Sequence, residues 1–363
     1  MLRALPPALQ RRACCPAAVA LTALFALAGC SRQAQPPAAP PTSSAMAAAP
    51  GPAAKVPREK WSLALLPDTQ HYSDQYPQLF DAQCSWLAKQ AKAINLKYVV
   101  GLGDITDKNT KREWDNAKHA IGLLDGVAPV ALVTGNHDTE LVYSGGQAAK
   151  ENGLDAAFPA ERLVQSATFG GLFQPSCLAN SYHLFSANQR DWMILCLEAG
   201  PRDPVVAWAN SVLDKYPERA VIIATHIYLD KDGQRIDSRD PADAGESPRK
   251  YAFSKAPGGT NDGEELWHKL IRKHANVVLV VCGHVHGVSH LTSTNDIGGE
   301  VHQILVDYQD DPEGGGGFLR LLTFSEDGRS IEANSYSPAH GLAKTDAGNA
   351  FTLSLTKTFA EPK

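Results

Sequence analysis

The chain lacks any apolar run of the roughly 20 residues that a membrane-spanning helix needs. Its apolar stretch near the N-terminus, residues 17–28, is too short to cross a bilayer. Positive charge is not in excess either, because 34 Lys and Arg stand against 39 Asp and Glu, for a formal net charge of −5. This balance argues against a nucleic-acid partner, which would require a surplus of Lys and Arg. The Gly-rich stretch 314–317 lacks the Lys-Ser/Thr pair of a phosphate-binding loop and predicts a turn between two strands.

The N-terminal segment has the order of features of an export signal. Arg3, Arg11 and Arg12 precede the apolar stretch, and Leu27-Ala28-Gly29-Cys30 follows it with the small residues of a processing site. This order resembles a bacterial lipoprotein signal, in which residues 1–29 are removed and Cys30 carries the membrane anchor. We therefore expect an exported lipoprotein of the cell envelope, at the outer membrane or the periplasmic face. Residues 30–57 are rich in Pro, Ala and Ser and predict a semi-extended tether.

The remaining chain is long enough for one large catalytic domain, predicted at residues 58–340, with a tail at 341–363. Four cysteines lie within that domain. Cys196 and Cys282 fall in predicted strands and are expected to be small buried apolar residues. Cys84 and Cys177 either form a disulfide, which an exported compartment would permit, or stay free thiols.

Five short polar clusters each follow an apolar run that predicts a buried strand. The apolar runs are residues 63–66, 98–100, 130–133, 221–223 and 277–281. The clusters after them are Asp68-Thr69-Gln70, Gly103-Asp104, Gly135-Asn136-His137-Asp138, Thr225-His226 and Gly283-His284-Val285-His286. In open α/β sheets, ligands bind beyond the carboxyl ends of the strands. Side chains that are far apart in the sequence are therefore expected to converge at one sheet edge.

The spacing of the first three clusters fits repeated strand–helix–strand units. Asp68, Asp104 and Asn136 follow one another at intervals of about 30 residues, the length of one such unit. Helical patterns at 78–94 and 113–124 occupy the two intervals. Near the C-terminus, alternation over residues 318–337 predicts an antiparallel hairpin. Together these elements predict an α/β fold.

The residue types in the clusters suit divalent metal ions. Carboxylates and imidazoles favour ions such as zinc, manganese and iron(II), and two ions about 3.5–4 Å apart can grip the attacking and leaving oxygens of a displacement at phosphorus. A bridging anion would hold such a pair, and Asp104 is the best placed carboxylate for it. One ion is assigned to Asp68, Gln70, Asp104 and His286, and the other to Asp104, Asn136, His226 and His284.

His137 and Asp138 are predicted to act in catalysis without binding metal. His137 directly follows a predicted ligand and suits donation of a proton or hydrogen bond to the phosphate or leaving group, with Asp138 fixing its tautomer. A water held between the ions, its pKa lowered to about 7, would supply the nucleophile. Each cluster alone also has a structural interpretation, such as a turn for Gly103-Asp104. Their order at five strand ends favours the metal site.

The ordered clusters resemble those of the calcineurin-like metallophosphoesterase superfamily, from Trp61 to about Pro338. The resemblance implies a four-layer α/β/β/α sandwich of two mixed sheets, with a dinuclear metal site at the carboxyl ends of the strands. It implies the same ligands, and His137 as the catalytic histidine. Gln70 departs from the family pattern, which usually has His at that position. An amide oxygen is a weaker ligand than imidazole, so the first ion is expected to bind less tightly or to differ in identity.

Two long insertions, residues 139–182 and 228–263, follow metal-bearing strand ends and are expected to rise over the active-site edge. Three residues are predicted to contact the substrate: Asn180, Arg202 and Tyr308. Arg202 could grip a phosphate bidentately, although an ordinary ion-pair or helix-capping role is equally consistent with its sequence context.

These features predict a metal-dependent hydrolase of phosphomonoesters, phosphodiesters or phosphoanhydrides, with two divalent ions (Mn, Fe or Zn). A phosphorylated small molecule or nucleotide is the expected substrate, a phosphoprotein is a second possibility, and no nucleic acid is expected. Two alternatives stay open. The chain could be a serine/threonine-type protein phosphatase, or a non-catalytic surface-binding lipoprotein that retains the fold.

Overall fold

Two seven-stranded sheets form the framework of the computed structural model, which describes residues 58–144, 147–160 and 166–355. The chain divides into two units, residues 1–54 and 55–363, and every described residue belongs to the second. The predicted signal segment, Cys30 and the tether lie outside the described residues.

The strands and helices alternate along the first half of the chain, and strands dominate the rest. The strands are β1 Trp61–Leu66, β2 Leu96–Gly101, β3 Val130–Leu132, β4 Thr139–Ser144, β5 Gln147–Asn152, β6 Phe169–Gln174, β7 Cys177–Ala187, β8 Arg190–Cys196, β9 Ala220–Ala224, β10 Val277–Cys282, β11 Gly287–Thr294, β12 Glu300–Asp307, β13 Leu319–Phe324, β14 Ser330–Ser337, β15 Leu342–Lys344 and β16 Ala350–Ser354. The helices are α1 Gln70–Asp74, α2 Pro77–Gln90, α3 Lys111–Gly122, α4 Leu154–Ala157, α5 Asp203–Lys215, α6 Gly263–Lys269 and α7 Pro312–Gly315. Short 3₁₀ turns lie at Pro241–Gly245, Pro248–Lys250, Ala252–Lys255 and Ile271–Lys273.

Both sheets are mixed. The first has the order β15-β14-β13-β1-β2-β3, with β16 also paired to β14, and the second has the order β11-β12-β10-β9-β8-β7-β6. Strands β1, β2 and β3 are parallel, as are β8, β9, β10 and β12. The carboxyl ends of each parallel set therefore share one edge, where polar loops can meet. Strands β4 and β5 form a separate hairpin.

Alternate side chains of the sheets build three apolar layers. Leu63 and Leu65 of β1 pack in the core between the sheets with residues such as Ile222 of β9. The other face of β1 packs against helices α2 and α3, and the other face of the second sheet packs against α5 and α6. This alternation follows from the two-residue period of a strand. The predicted four-layer α/β/β/α sandwich is confirmed.

The main strands and helices were predicted correctly from the sequence, but the first sheet continues beyond the predicted C-terminal boundary of the domain. The five strands predicted from apolar runs are β1, β2, β3, β9 and β10, and the two helical patterns are α2 and α3. Helix α3 starts at a capping box between Thr110 and Glu113, which defines its first turn. The predicted hairpin is formed by β13 and β14. Strands β15 and β16 extend the first sheet beyond residue 340, the boundary that the sequence suggested for the domain.

The four cysteines of the described chain are free thiols. The alternative of a Cys84–Cys177 disulfide is therefore wrong. Cys84 lies fully buried among the side chains of the first helical layer, while Cys177 begins strand β7. Cys196 and Cys282 are buried, as their strand positions predicted. Within the described residues, the model contains no helix whose length and hydropathy would suit a bilayer crossing.

His183 on β7 is an internal histidine that stays neutral in the native state. Burial lowers its pKa from 6.5 to about 4, and its Nε2 atom lies 3.2 Å from Ser181 Oγ. The unfolded chain binds a proton below pH 6.5 and the native chain does not, so the free energy of unfolding should fall by about 3 kcal/mol as pH falls from 7 to 4. We expect metal-free His183→Gln to lose this component in urea unfolding. The same pH slope in both proteins would contradict the assignment.

Candidate metal centre

Three of the predicted ligands stand in left-handed backbone just after strand ends. The φ angles are 39° at Asp68, 43° at Asp104 and 79° at His284, following β1, β2 and β10. Such conformations cost non-glycine residues about 1–3 kcal/mol each and cluster at functional sites. The chain thus turns sharply where these side chains leave the sheet.

Side chains from both sheets meet in a buried group. The ligand atoms of Asp104, His226 and His284 all lie within 4.8 Å of one another. His226 Nε2 is 3.0 Å from Asn136 Oδ1 and 3.3 Å from Asp104 Oδ1. Its Nδ1 lies 2.9 Å from the carbonyl oxygen of Leu102, to which it can donate. In the neutral ring the Nε2 lone pair then faces two oxygens, so this position calls for a cation, either a proton on Nε2 or a metal ion between the three atoms.

His284, the other buried imidazole of the group, is also oriented by a backbone carbonyl group. His284 Nε2 lies 3.1 Å from the carbonyl oxygen of Glu246, so its hydrogen bond leaves Nδ1 as the coordinating atom. Burial lowers the pKa of His284 to about 3, which keeps the imidazole neutral as metal coordination requires. The predicted second site, made of Asp104, Asn136, His226 and His284, is therefore assembled in the structure.

The predicted first site is more loosely assembled. Asp68 Oδ1 accepts a hydrogen bond of 3.1 Å from the backbone N–H of His284. Asp68 Oδ2 and Gln70 Oε1 are both buried and have no hydrogen-bond partner among the described residues. His286 is half-exposed, and its Nδ1 lies 2.8 Å from Asp310 Oδ1, an orienting contact that leaves Nε2 available. Within the described chain, His286 does not belong to the buried group of Asp104, His226 and His284, whose ligand atoms lie within 4.8 Å of one another.

The charges of this centre call for a cation. Burial raises the pKa of Asp68 well above its usual range, and the charges of Asp307 and Asp104 raise it further. Burial also acts to raise the pKa of Asp104 and to lower that of His226, but the attraction between the two groups outweighs it. With no cation bound, the pKa of His226 is raised, and the charge and hydrogen bond of the protonated ring lower the pKa of Asp104 to about 2. Buried carboxylates gathered in this way are costly unless protonated or paired with positive charge. The donor set fits divalent metal ions.

Glycines let the ligand loops approach closely. A Cβ at Gly135 would overlap Asp104 Oδ1, and a Cβ at Gly283 would overlap Asp68 Oδ2. At Gly103 (φ 96°), a Cβ would come within 2.6 Å of His226 Nδ1. The glycines beside the ligands in the sequence motifs are thus needed for space as well as for conformation.

His137 and Asp138 have different roles from each other. The backbone N–H of His137 donates to Asp104 Oδ1 at 2.9 Å, and its Nδ1 lies 2.6 Å from the carbonyl oxygen of Asp107. Asp138 is fully buried and accepts hydrogen bonds from the N–H groups of Ile105, Thr106 and Gly135 and from the Thr106 hydroxyl. The prediction that Asp138 fixes the His137 tautomer is corrected, since Asp107 makes that contact. Asp138 ties the loop after β2 to the loop after β3.

The three predicted substrate contacts are bonded to other side chains of the protein. Asn180 and Arg202 both bond to the carboxylate of Glu198, Arg202 through Nε at 2.8 Å and Nη2 at 3.1 Å. The bidentate partner of Arg202 is therefore an internal carboxylate, and this prediction is wrong. Tyr308 is buried in the core between the sheets, where its hydroxyl donates to Ser335 Oγ at 2.6 Å. It too is wrongly predicted.

A cavity of about 660 Å³ opens over the metal centre. Its floor includes Asp104, Asn136, His137, His284 and His286. The second insertion supplies much of its wall, as expected, with Asp230, Lys231, Asp243, Glu246, Lys250 and Tyr251. Among the described residues of the first insertion, 139–182, none lines it. Two contacts join this wall to the centre. The backbone carbonyl of Glu246 accepts a hydrogen bond from His284 Nε2, and the ring of Tyr251 lies edge-on to the His284 ring at 5.9 Å between centroids.

Sequence reasoning missed several residues of this site. Asp307 follows the apolar residues Ile304-Leu305-Val306 at the end of β12, which is the same signal that marked the other clusters. Gln309 and Asp310 come just after it and line the cavity. Glu246 lies just after one short 3₁₀ turn and Lys250 lies within the next. The sequence around them has no periodic pattern that would indicate their position.

Comparison with known proteins identifies the family. Residues 63–288 match the model of the calcineurin-like phosphoesterase family. The chain belongs to this family. Its membership supports metal-dependent hydrolysis of phosphoesters in general, and members of the family usually bind two divalent metal ions. The resemblance predicted from the ordered motifs is confirmed at the level of the family.

One curated protein is similar to the chain over most of the chain's length. The uncharacterised protein YvnB of Bacillus subtilis (strain 168) is 32% identical over 290 residues, which make up 77% of this chain and 20% of the relative. The chain thus spans about one fifth of the length of that curated relative.

The solved structures that align with the chain are distant. A dimetal phosphatase from Danio rerio has 14% identity and a TM-score of 0.48, covering 82% of this chain and 99% of its own. Purple acid phosphatase PPD1 from yellow lupin (Lupinus luteus) seeds has 14% identity and a TM-score of 0.49, covering 82% of this chain and 55% of its own. GAP50, the anchor in the inner membrane complex of Plasmodium, has 12% identity and a TM-score of 0.47, covering 83% and 90%.

Proposed function

We propose that this chain hydrolyses a phosphoester bond of a small molecule or nucleotide, using two divalent metal ions at the sheet edge. The observation that carries the proposal is the buried contact of three electron-pair donors, His226 Nε2, Asn136 Oδ1 and Asp104 Oδ1. A cation between them removes their mutual repulsion. Family membership supports the same chemistry.

The side chains divide between the two ions as the motifs predict. Asp104, Asn136, His226 and His284 would hold one ion, and Asp68, Gln70, Asp104 and His286 the other. When bound, such ions polarise the phosphoryl oxygens and lower the pKa of water, which supplies a nucleophile near neutral pH. Manganese, iron(II) and zinc all suit this mixture of oxygen and nitrogen donors.

The protein's own contribution is orientation and proton donation. With the Nδ1–H of His137 donating to the carbonyl oxygen of Asp107, Nε2 is left for the leaving-group oxygen, to which the imidazolium form of the ring would give its Nε2 proton. Lys231 and Lys250 are the lysines of the cavity wall and can attract a phosphate group. A cavity of about 660 Å³ falls in the range of small-molecule sites, roughly 300–1,000 Å³, which favours a small substrate over a phosphoprotein.

The location of the activity follows from the N-terminal motif. The lipid anchor expected at Cys30 would place the catalytic domain at the cell envelope, with residues 30–57 as spacer. Substrates would then be phosphorylated compounds outside the cytoplasm. This part of the proposal rests on the sequence motif alone.

A substrate panel tests the proposal. The full chain, purified in detergent and stripped with a chelator, would be assayed with Mn, Fe(II) or Zn on p-nitrophenyl phosphate, its bis ester, a nucleoside diphosphate and a phosphoserine peptide. We expect metal-dependent turnover of at least one small ester. Turnover of the phosphopeptide alone would indicate a protein phosphatase. No turnover with any of the metals would favour the non-catalytic binding protein.

His137→Gln tests proton donation to the leaving group. We expect kcat on an alkyl phosphate to fall about 100-fold or more, because that leaving group needs a proton. The loss on p-nitrophenyl phosphate should be much smaller, because p-nitrophenolate leaves without one. Bound metal, measured by elemental analysis, should stay at the wild-type level.

The matched control is His119→Gln, a change at an exposed histidine on α3. It should alter neither rate. Equal losses of His137→Gln on both substrates, or a loss of bound metal, would contradict the proton-donor role.

A further inference from the structure

Asp307 ends strand β12 at the edge where the metal ligands gather. Strand β12 is parallel to β10, with Leu305 opposite Cys282, so Asp307 and His284 lie equally far beyond that pair. On its other side Asp307 is opposite Gly287 of β11, the residue directly after His286. Register alone therefore places this carboxylate beside the last ligand cluster.

The carboxylate of Asp307 is buried, and its two oxygens differ in their hydrogen bonding. The side chain is 1% exposed. One of its oxygens, Oδ1, accepts a hydrogen bond of 2.7 Å from the backbone N–H of Gln309. The other, Oδ2, has no hydrogen-bond partner within the described part of the chain. A buried carboxylate oxygen without a partner is costly, and in a native protein such a group calls for an explanation such as a bound ion, a water molecule or a catalytic role.

Two further unpartnered oxygens belong to the same region. Asp68 Oδ2 and Gln70 Oε1 are both buried without a hydrogen-bond partner in the residues described. Asp68 Oδ1 accepts the hydrogen bond of the His284 backbone N–H, and His284 lies as far beyond Cys282 of β10 as Asp307 lies beyond Leu305 of β12. The strand register thus brings Asp307 to the edge where Asp68 is held.

We propose that Asp307 is a further ligand of the first metal ion, so that four oxygen-bearing side chains, Asp68, Gln70, Asp104 and Asp307, join the single imidazole of His286. This inference rests on the proposed function for the presence of that ion. The neutral amide of Gln70 is a weak ligand, and the carboxylate of Asp307 compensates for it with negative charge. Carboxylate and carbonyl oxygens suit manganese or magnesium better than zinc. The first site is therefore selective for a hard ion such as Mn²⁺.

A structural role gives a different expectation. If Asp307 served only to orient the loop at Gln309, its replacement would weaken the fold equally with and without metal. A metal ligand behaves differently. Without metal its buried charge destabilises the fold, and with metal it makes a stabilising contact. The metal-dependent part of the stability separates the two roles.

The test uses Asp307→Asn in the full chain, which keeps the shape and one acceptor oxygen but removes the charge. Metal bound at limiting free Mn²⁺ would be measured by equilibrium dialysis with elemental analysis, and melting temperatures with and without Mn²⁺. We expect about two Mn²⁺ per wild-type chain, and the weaker site of the variant to bind at least about tenfold less tightly. The metal-free melting temperature should be unchanged or higher.

Two companion variants sharpen the result. Glu198→Gln removes another buried carboxylate, which the structure pairs with Arg202 and which is assigned to neither metal site, so it should lower the metal-free melting temperature and keep two Mn²⁺. Adding Gln70→His to Asp307→Asn supplies an imidazole to the same ion, and should restore binding with a shift of preference from Mn²⁺ towards Zn²⁺.

The outcomes are distinct. Two Mn²⁺ bound by Asp307→Asn with wild-type affinity would overturn the inference, as would metal-free unfolding of that variant, because the carboxylate would then support the fold without an ion. A wild-type chain that binds no divalent metal would instead overturn the proposed function.

Discussion

Replacement of Asp104 by asparagine is expected to lower phosphoester hydrolysis at least about 1,000-fold, the largest effect of any single change in this site. Asp104 is the carboxylate assigned to both ions, and its Oδ1 lies 3.3 Å from His226 Nε2. A neutral amide cannot balance two divalent ions that lie close together. A loss of about 4 kcal/mol of transition-state stabilisation corresponds to this factor. The assay is metal-dependent turnover of the best small ester, with bound metal counted in parallel.

Asparagine suits this test because it keeps the fold. Its side-chain oxygen can still accept the hydrogen bond of 2.9 Å from the backbone N–H of His137. The matched control is Asp115→Asn, which changes an exposed carboxylate on α3 whose ion-pair partner among the described residues is Lys111. We expect the control to keep full activity and two metal equivalents. If Asp104→Asn retained more than a tenth of the activity, the shared-ligand assignment would be wrong.

The framework of the site could be predicted because its signals are local. An apolar run that ends in Gly, Asp or His marks a buried strand and the loop after it. Parallel strands bring those loops to one edge whatever the sequence between them. That reasoning placed Asp68, Asp104, Asn136, His226 and His284 near one another. It needed no knowledge of side-chain partners.

The predicted substrate contacts failed because a polar side chain near a motif says nothing about its partner. The sequence allowed Arg202 to be a phosphate ligand or to have an ordinary ion-pair or helix-capping role, and in the structure Glu198, four residues earlier, accepts hydrogen bonds from its Nε and Nη2. Tyr308 adjoins Asp307, but successive strand residues point to opposite faces, so Tyr308 enters the core between the sheets. The alternation that buries Tyr308 is the same one that turns Asp307 towards the other face.

The wall of the cavity was beyond prediction for another reason. The second insertion contains 3₁₀ turns at Pro241–Gly245, Pro248–Lys250 and Ala252–Lys255, with no regular hydrophobic period. Its position over the site followed from the strand it leaves, and this was confirmed. Which of its residues face the cavity depends on tertiary contacts, such as the edge-on contact of Tyr251 with His284 at 5.9 Å between ring centroids.

Gly283→Ala is expected to disrupt the first metal site through a single methyl group. An added Cβ would overlap Asp68 Oδ2, and its next contacts are the other atoms of the same carboxylate. Asp68 has little room to retreat, because it is buried and its Oδ1 is held by the N–H of His284. We expect loss of one metal equivalent, a fall in kcat of at least about 100-fold, and destabilisation of about 1–3 kcal/mol from overpacking. Elemental analysis, steady-state kinetics and urea unfolding measure the three effects.

Gly122→Ala is the matched control, because it adds the same methyl group where there is space. Gly122 ends helix α3, and a Cβ there would meet nothing nearer than Asp125 Oδ2 at 3.9 Å. Alanine is also the better helix former by about 1 kcal/mol, so this variant should be as stable as the wild type or more so, with unchanged metal content and activity. Wild-type metal content in Gly283→Ala would show that the carboxylate of Asp68 can move aside without loss. The close approach of the loop after β10 to Asp68 would then not be what positions the ligand.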